Sequence, residues 1–69
     1  MPAKMYLARK LASTNADIAQ LESTIRSSAF EKLTDFQKDL VKFQLEVERL
    51  LQWVLEQRLK HWPKRKCNR

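Results

Sequence analysis

Two series of apolar residues with the same spacing limit what this chain can fold into. Leu7, Leu11, Thr14, Ile18, Leu21 and Ile25 follow one another at intervals of 4, 3, 4, 3 and 4, and Phe36, Leu40, Phe43, Val47, Leu50 and Val54 repeat the series. That rhythm places one stripe along a helix and suits two helices packed at a shallow angle. The series also mirror each other. If the chain turns back between them, Ile25 meets Phe36, Leu21 meets Leu40, Ile18 meets Phe43, Thr14 meets Val47, Leu11 meets Leu50 and Leu7 meets Val54. The expected class is all-α, an antiparallel two-helix hairpin. Thr14 is the polar member of its seam, and its hydroxyl is expected to bond back to its own helix backbone.

Composition supports helix throughout. Glycine is absent, and the two prolines, Pro2 and Pro63, lie near the ends. Sheets need turns that such a chain does not supply. The first helix is expected over residues 3–26, a turn over 27–34 and the second helix over 35–62. Residues 1–62 form the hairpin and 63–69 a basic tail. Ser28 with Glu31 is expected to cap a short turn. Thr34 with Gln37 reads as a capping box that opens the second helix, with Asp35 adding negative charge there. Phe30 and Leu33 are expected to plug the loop end of the core. Pro63 stops the second helix near His61 or Trp62. The weakest stretch of the first helix is Ser13-Thr14-Asn15, better caps than helix formers.

A hairpin of 69 residues buries little apolar surface for the backbone entropy it gives up. One cysteine, Cys67, allows no internal bridge, and Cys67 with His61 makes no zinc site, so no cofactor or metal is expected. A second copy is the remaining support. The second helix carries a further apolar stripe, Val41, Leu45, Leu51, Leu55, Leu59 and Trp62, with Gln44, Glu48 and Gln52 interspersed. The first helix carries small residues at Met5, Ala8, Ala12, Ala16, Ala19 and Ser23. A homodimer closing into a four-helix bundle would use both, with Ala8, Ala12, Ala19, Val41, Leu51, Leu55 and Leu59 as its interface.

The net charge of +6 is unevenly placed. Residues 1–16 contribute +3 through Lys4, Arg9 and Lys10, residues 17–59 contribute −2, and residues 60–69 contribute +5. A hairpin brings the two basic ends together, where Arg9, Lys60, Lys64, Arg65 and Lys66 would meet anions such as nucleic-acid phosphates or an acidic protein patch. The bland reading is a solvated tail that complements the helix C-terminus. No groove-reading motif or repeated aromatic platform accompanies these bases, which makes nucleic acid the lesser expectation. Trp53 sits among the charged residues of the second helix. Either it lies over the stems of Arg49, Glu56 or Gln57, or packs across the dimer, or it anchors a partner. Trp53, Arg49, Arg58 and Trp62 are the candidate partner-binding residues.

Enzymatic chemistry has no foothold in the sequence. There is no Gly-rich phosphate loop, no nucleophile with a base at fixed spacing, and no carboxylate pair with a cleft to work in. No apolar run is long enough to span a membrane, and the apolar stretches near Met1 are broken by Lys4, Arg9 and Lys10, unlike a secretory signal. A free thiol without an export signal sets the expectation of a reducing cytoplasm.

From Leu11 to Leu59 the chain resembles small bacteriophage accessory proteins of the host-takeover or anti-defence type, a class that includes phage quorum-sensing anti-activators. The likeness rests on Leu21-Glu22 and Ile25, on Ser28-Ala29-Phe30 with Leu33 and Asp35, and on Leu40, Gln44, Val54-Leu55 and Arg58-Leu59. Those proteins pair an apolar helix with an F-x-x-L turn and a closing helix. Many carry a tyrosine shortly before the closing run, where this chain has Leu50-Leu51-Gln52-Trp53. The resemblance implies a non-enzymatic protein that binds a host transcription regulator or defence factor and inhibits or redirects it. It transfers no functional residue. Alternatives are a basic nucleic-acid-associated regulator and a structural assembly helper.

Overall fold

The computed structural model describes residues 3–63, and these are helical apart from short connections. Three helices follow in order: α1 over Ala3–Ile25, α2 over Ser28–Glu31 and α3 over Asp35–Lys60. Neither glycine nor proline interrupts the long elements, and no described residue adopts a positive φ. α1 runs unbroken through Ser13-Thr14-Asn15. The reason is visible at Thr14, whose hydroxyl donates to the Lys10 carbonyl at 2.8 Å. Thr14 is 2% exposed, so this bond lets a polar side chain sit in an apolar seam.

The connection is fixed by two caps. Ser27 has extended backbone angles and its hydroxyl oxygen accepts from the Phe30 N–H at 3.3 Å, opening α2. The cap is therefore Ser27, one residue before the expected Ser28, because only Ser27 lies outside the helical turn with its oxygen aimed at that N–H. The same hydroxyl donates to the Thr24 carbonyl at 2.7 Å, tying the end of α1 to the start of α2. At α3, Thr34 and Gln37 form the reciprocal box: the Gln37 N–H donates to the Thr34 hydroxyl, and the Thr34 N–H to Gln37 Oε1, both at 3.1 Å. Thr34→Ala leaves the Gln37 N–H without its partner and is expected to cost about 1 kcal/mol of stability, read as a lower urea midpoint at unchanged slope. At the far end the His61 N–H reaches the Gln57 carbonyl at 2.9 Å and the Trp62 N–H the Leu59 carbonyl at 3.2 Å, before Pro63 removes the next donor.

α1 and α3 lie side by side and run in opposite directions: Asn15 meets Gln52, and Glu22 meets Arg49. The core comprises Leu7, Thr14 and Ile18 of α1, Phe30 of α2, and Leu45 and Leu55 of α3. Leu11, Leu21 and Ile25 are half-buried, so α1 turns inward the stripe read from its spacing.

The stripe that α3 turns inward is a different one. Val41, Leu45, Glu48, Gln52, Leu55 and Leu59 are buried or half-buried, and they too are spaced 4, 3, 4, 3 and 4. The expected seam, Phe36 to Val54, points away from α1, with exposures from 37% at Val54 to 70% at Phe36. The mirrored pairing is thus corrected by a half-rotation of α3 about its axis and a slide along it. Asn15 stands beside Gln52, more than one turn past the level that pairs Thr14 with Val47. Two stripes of equal spacing lie on opposite sides of α3, and spacing alone does not choose between them. The inward choice aligns polar side chains across the pair, Gln52 Nε2 donating to Asn15 Oδ1 at 2.6 Å and Arg49 to Glu22 at 2.7 Å.

Candidate protein-binding surface

The outward side of α3 is the most unusual surface of the molecule. Phe36, Leu40, Phe43, Val47, Leu50 and Val54 form a continuous apolar stripe, with Phe43, Val47 and Leu50 each more than 60% exposed. Spaced over 18 residues of helix, the stripe is about 27 Å long. Polar and charged residues border it: Asp39 and Glu46 on one flank, Gln37 and Gln44 on the other. Folded monomers seldom leave a contiguous apolar patch larger than a few hundred Å² uncovered. The spacing marks this face as a packing stripe, and the structure turns it outward. The signal for its outward role is the opposite stripe, which supplies aliphatic residues of its own.

The candidate partner-binding residues separate into distinct places. Trp53 is 57% exposed and flanks the outer stripe beside Val54. Arg58 is exposed one turn past Val54, at the end of the stripe. Arg49 holds Glu22 across the pair, an ion pair with both side chains more than a third open to water. Such a pair orients more than it stabilises. Trp62 is half-buried on the inward side, past the end of α3, and does not join Trp53.

The expected dimer interface does not survive as one surface. Leu55 is 3% exposed inside the single chain, and Val41, Leu51 and Leu59 are half-buried on the same inward side. They serve the α1–α3 seam because α3 is rotated. Ala8, Ala12 and Ala19 are exposed on α1, and the large residues meant to cover them face elsewhere.

Among the described residues, Lys4, Arg9 and Lys10 begin α1 while Arg58 and Lys60 end α3, and the opposed helices bring these charges to one end of the molecule. Lys64, Arg65 and Lys66 lie outside the described residues. No group of three His, Cys, Asp or Glu side chains that could hold a metal occurs among the described residues. No helix there is long and apolar enough to cross a membrane. In comparisons with known proteins, no family model, curated protein or solved structure matches the chain.

Proposed function

We propose that this chain is a non-enzymatic binding protein of the phage accessory type, working as a homodimeric helical hairpin in the cytoplasm of a bacterial host, where it occupies a surface of a host regulator or defence protein. The carrying observation is the outer stripe of α3, an apolar face with the spacing of a packing seam that the described residues leave largely exposed. Catalysis needs a cleft and convergent polar groups, whereas binding needs an apolar centre with aromatic and arginine anchors at its edge. Trp53 provides such an anchor on one flank of the stripe and Arg58 another at its end. Inhibition then follows from occupancy of the host surface.

The test is capture from bacterial extract by the full chain, by Trp53→Ala and by a chain ending at Trp62. A host protein retained by the full and shortened chains and lost with Trp53→Ala supports the reading. Retention unchanged by Trp53→Ala goes against it.

A second reading, nucleic-acid association, is favoured by the gathering of Lys4, Arg9, Lys10, Arg58 and Lys60 at one end. It requires retardation of DNA or RNA that weakens steeply with salt and disappears when residues 63–69 are removed.

A further inference from the structure

The geometry points to a second copy of this chain as the occupant of the outer stripe, seated antiparallel on α3 so that Phe36 meets the copy's Val54, Leu40 its Leu50 and Phe43 its Val47. This rests on the reading above for its premise that the stripe is a binding surface, and gives the apolar stripe itself to a second copy in place of the host protein. It also moves the dimer contact from the small-residue side of α1 to the opposite side of the molecule.

Three observations carry it. The first is the order of sizes along the stripe. The large rings lie toward the start of α3 and the small β-branched residues toward its middle and end: Phe36, Leu40, Phe43, then Val47, Leu50, Val54. Reversal sets each phenylalanine against a valine and each leucine against a leucine, so every layer has a similar volume. A parallel copy would stack Phe36 on Phe36 and Phe43 on Phe43, then leave Val47 on Val47 and Val54 on Val54, alternately overfilled and hollow. The register uses all six residues and leaves none unmatched.

The second is charge. Arg9, Lys10, Arg58 and Lys60 share one end of the molecule with Lys4, and only Glu56 opposes them there. A parallel copy would place two such ends together, while an antiparallel copy sends them to opposite poles and also opposes the α3 dipoles. Glu46 then faces its own counterpart across the twofold axis, an exposed like-charge contact at the rim, with Lys42 one turn away on the same helix.

The third is area. From the exposures of the six residues and Trp53, the stripe offers on the order of 800 Å² per chain, about the share each partner contributes to a standard stable interface.

The experiment uses the full chain with Cys67→Ser as background. Sedimentation equilibrium at micromolar concentration is expected to give a dimer, and Val47→Glu to weaken self-association about 100-fold by facing two carboxylates into apolar layers. Ala12→Glu, on the exposed side of α1, is expected to leave the dimer unchanged. A spin label at Asp35→Cys measures orientation independently: an antiparallel pair separates the two labels by about 30 Å along the axis, and a parallel pair brings them within about 10 Å. Should Val47→Glu lose its helical signal, the label distance decides. A short distance, a dimer broken by Ala12→Glu and not by Val47→Glu, or a wild-type monomer at about 100 µM overturns the inference. A monomer that captures a host protein through Val47 overturns the second copy and leaves the stripe standing as a binding surface. A monomer that captures nothing removes both.

Discussion

Leu55→Ala is expected to abolish the folded state at 37 °C. Leu55 is 3% exposed and is one of two buried α3 side chains, the other being Leu45. Truncating a buried leucine costs about 2–5 kcal/mol, through lost transfer energy and the cavity left behind. A chain this short has total stability of the same order, roughly 3–10 kcal/mol at 0.05–0.15 kcal/mol per residue. Far-UV circular dichroism should show most of the helical signal gone at 37 °C, with partial recovery on cooling. Leu55→Met, which keeps the volume, should stay folded with a loss below about 1.5 kcal/mol. A Leu55→Ala chain with an unchanged melt would mean that Leu55 is not a packing residue.

Phe30→Ala carries the second large effect. Its ring is the buried element of α2, and it closes the loop end of the molecule. Lys38 and Lys42 lie over it, their Nζ atoms 5.7 and 6.0 Å from the ring centroid, and Lys38 also reaches Glu31 at 3.5 Å. Removing the ring is expected to cost about 3–5 kcal/mol from packing. A smaller part, about 0.5–1 kcal/mol for each lysine at such an open site, comes from lost attraction to its face. Phe30→Leu separates the contributions, because it keeps apolar volume and removes the ring. Urea titration should place Phe30→Leu between the wild type and Phe30→Ala. If Phe30→Leu is as unstable as Phe30→Ala, the ring's shape matters more than its apolar volume.

The helical class, the Thr34–Gln37 box, the back-bonded Thr14 and the inward stripe of α1 could all be read from residue type and spacing. These features are local, decided within about a turn of chain. The rotation of α3 could not be read that way. Phe36 to Val54 and Val41 to Leu59 share one spacing on opposite sides of a single helix. Hydrophobic weight alone turns the phenylalanine stripe inward. The inward choice is accompanied in the folded chain by exposed side-chain pairs between residues far apart in sequence, Asn15 with Gln52 and Glu22 with Arg49, which no periodicity reveals. The candidate surface followed the same division. Trp53 and Arg58 stood out by residue type and are exposed, whereas Leu55 was assigned to an outer interface and lies inside.

Glu48 and Gln52 occupy the middle of the α1–α3 seam, where a helix pair meant to stand by itself would carry leucine. A join with that composition is expected to open more readily than one lined with leucine, and opened chain is the form that proteases cut. Any surface that settles on the closed form draws the balance toward it by mass action and slows the cutting. With the outer stripe covered as proposed, resistance to a protease is therefore expected to rise with protein concentration.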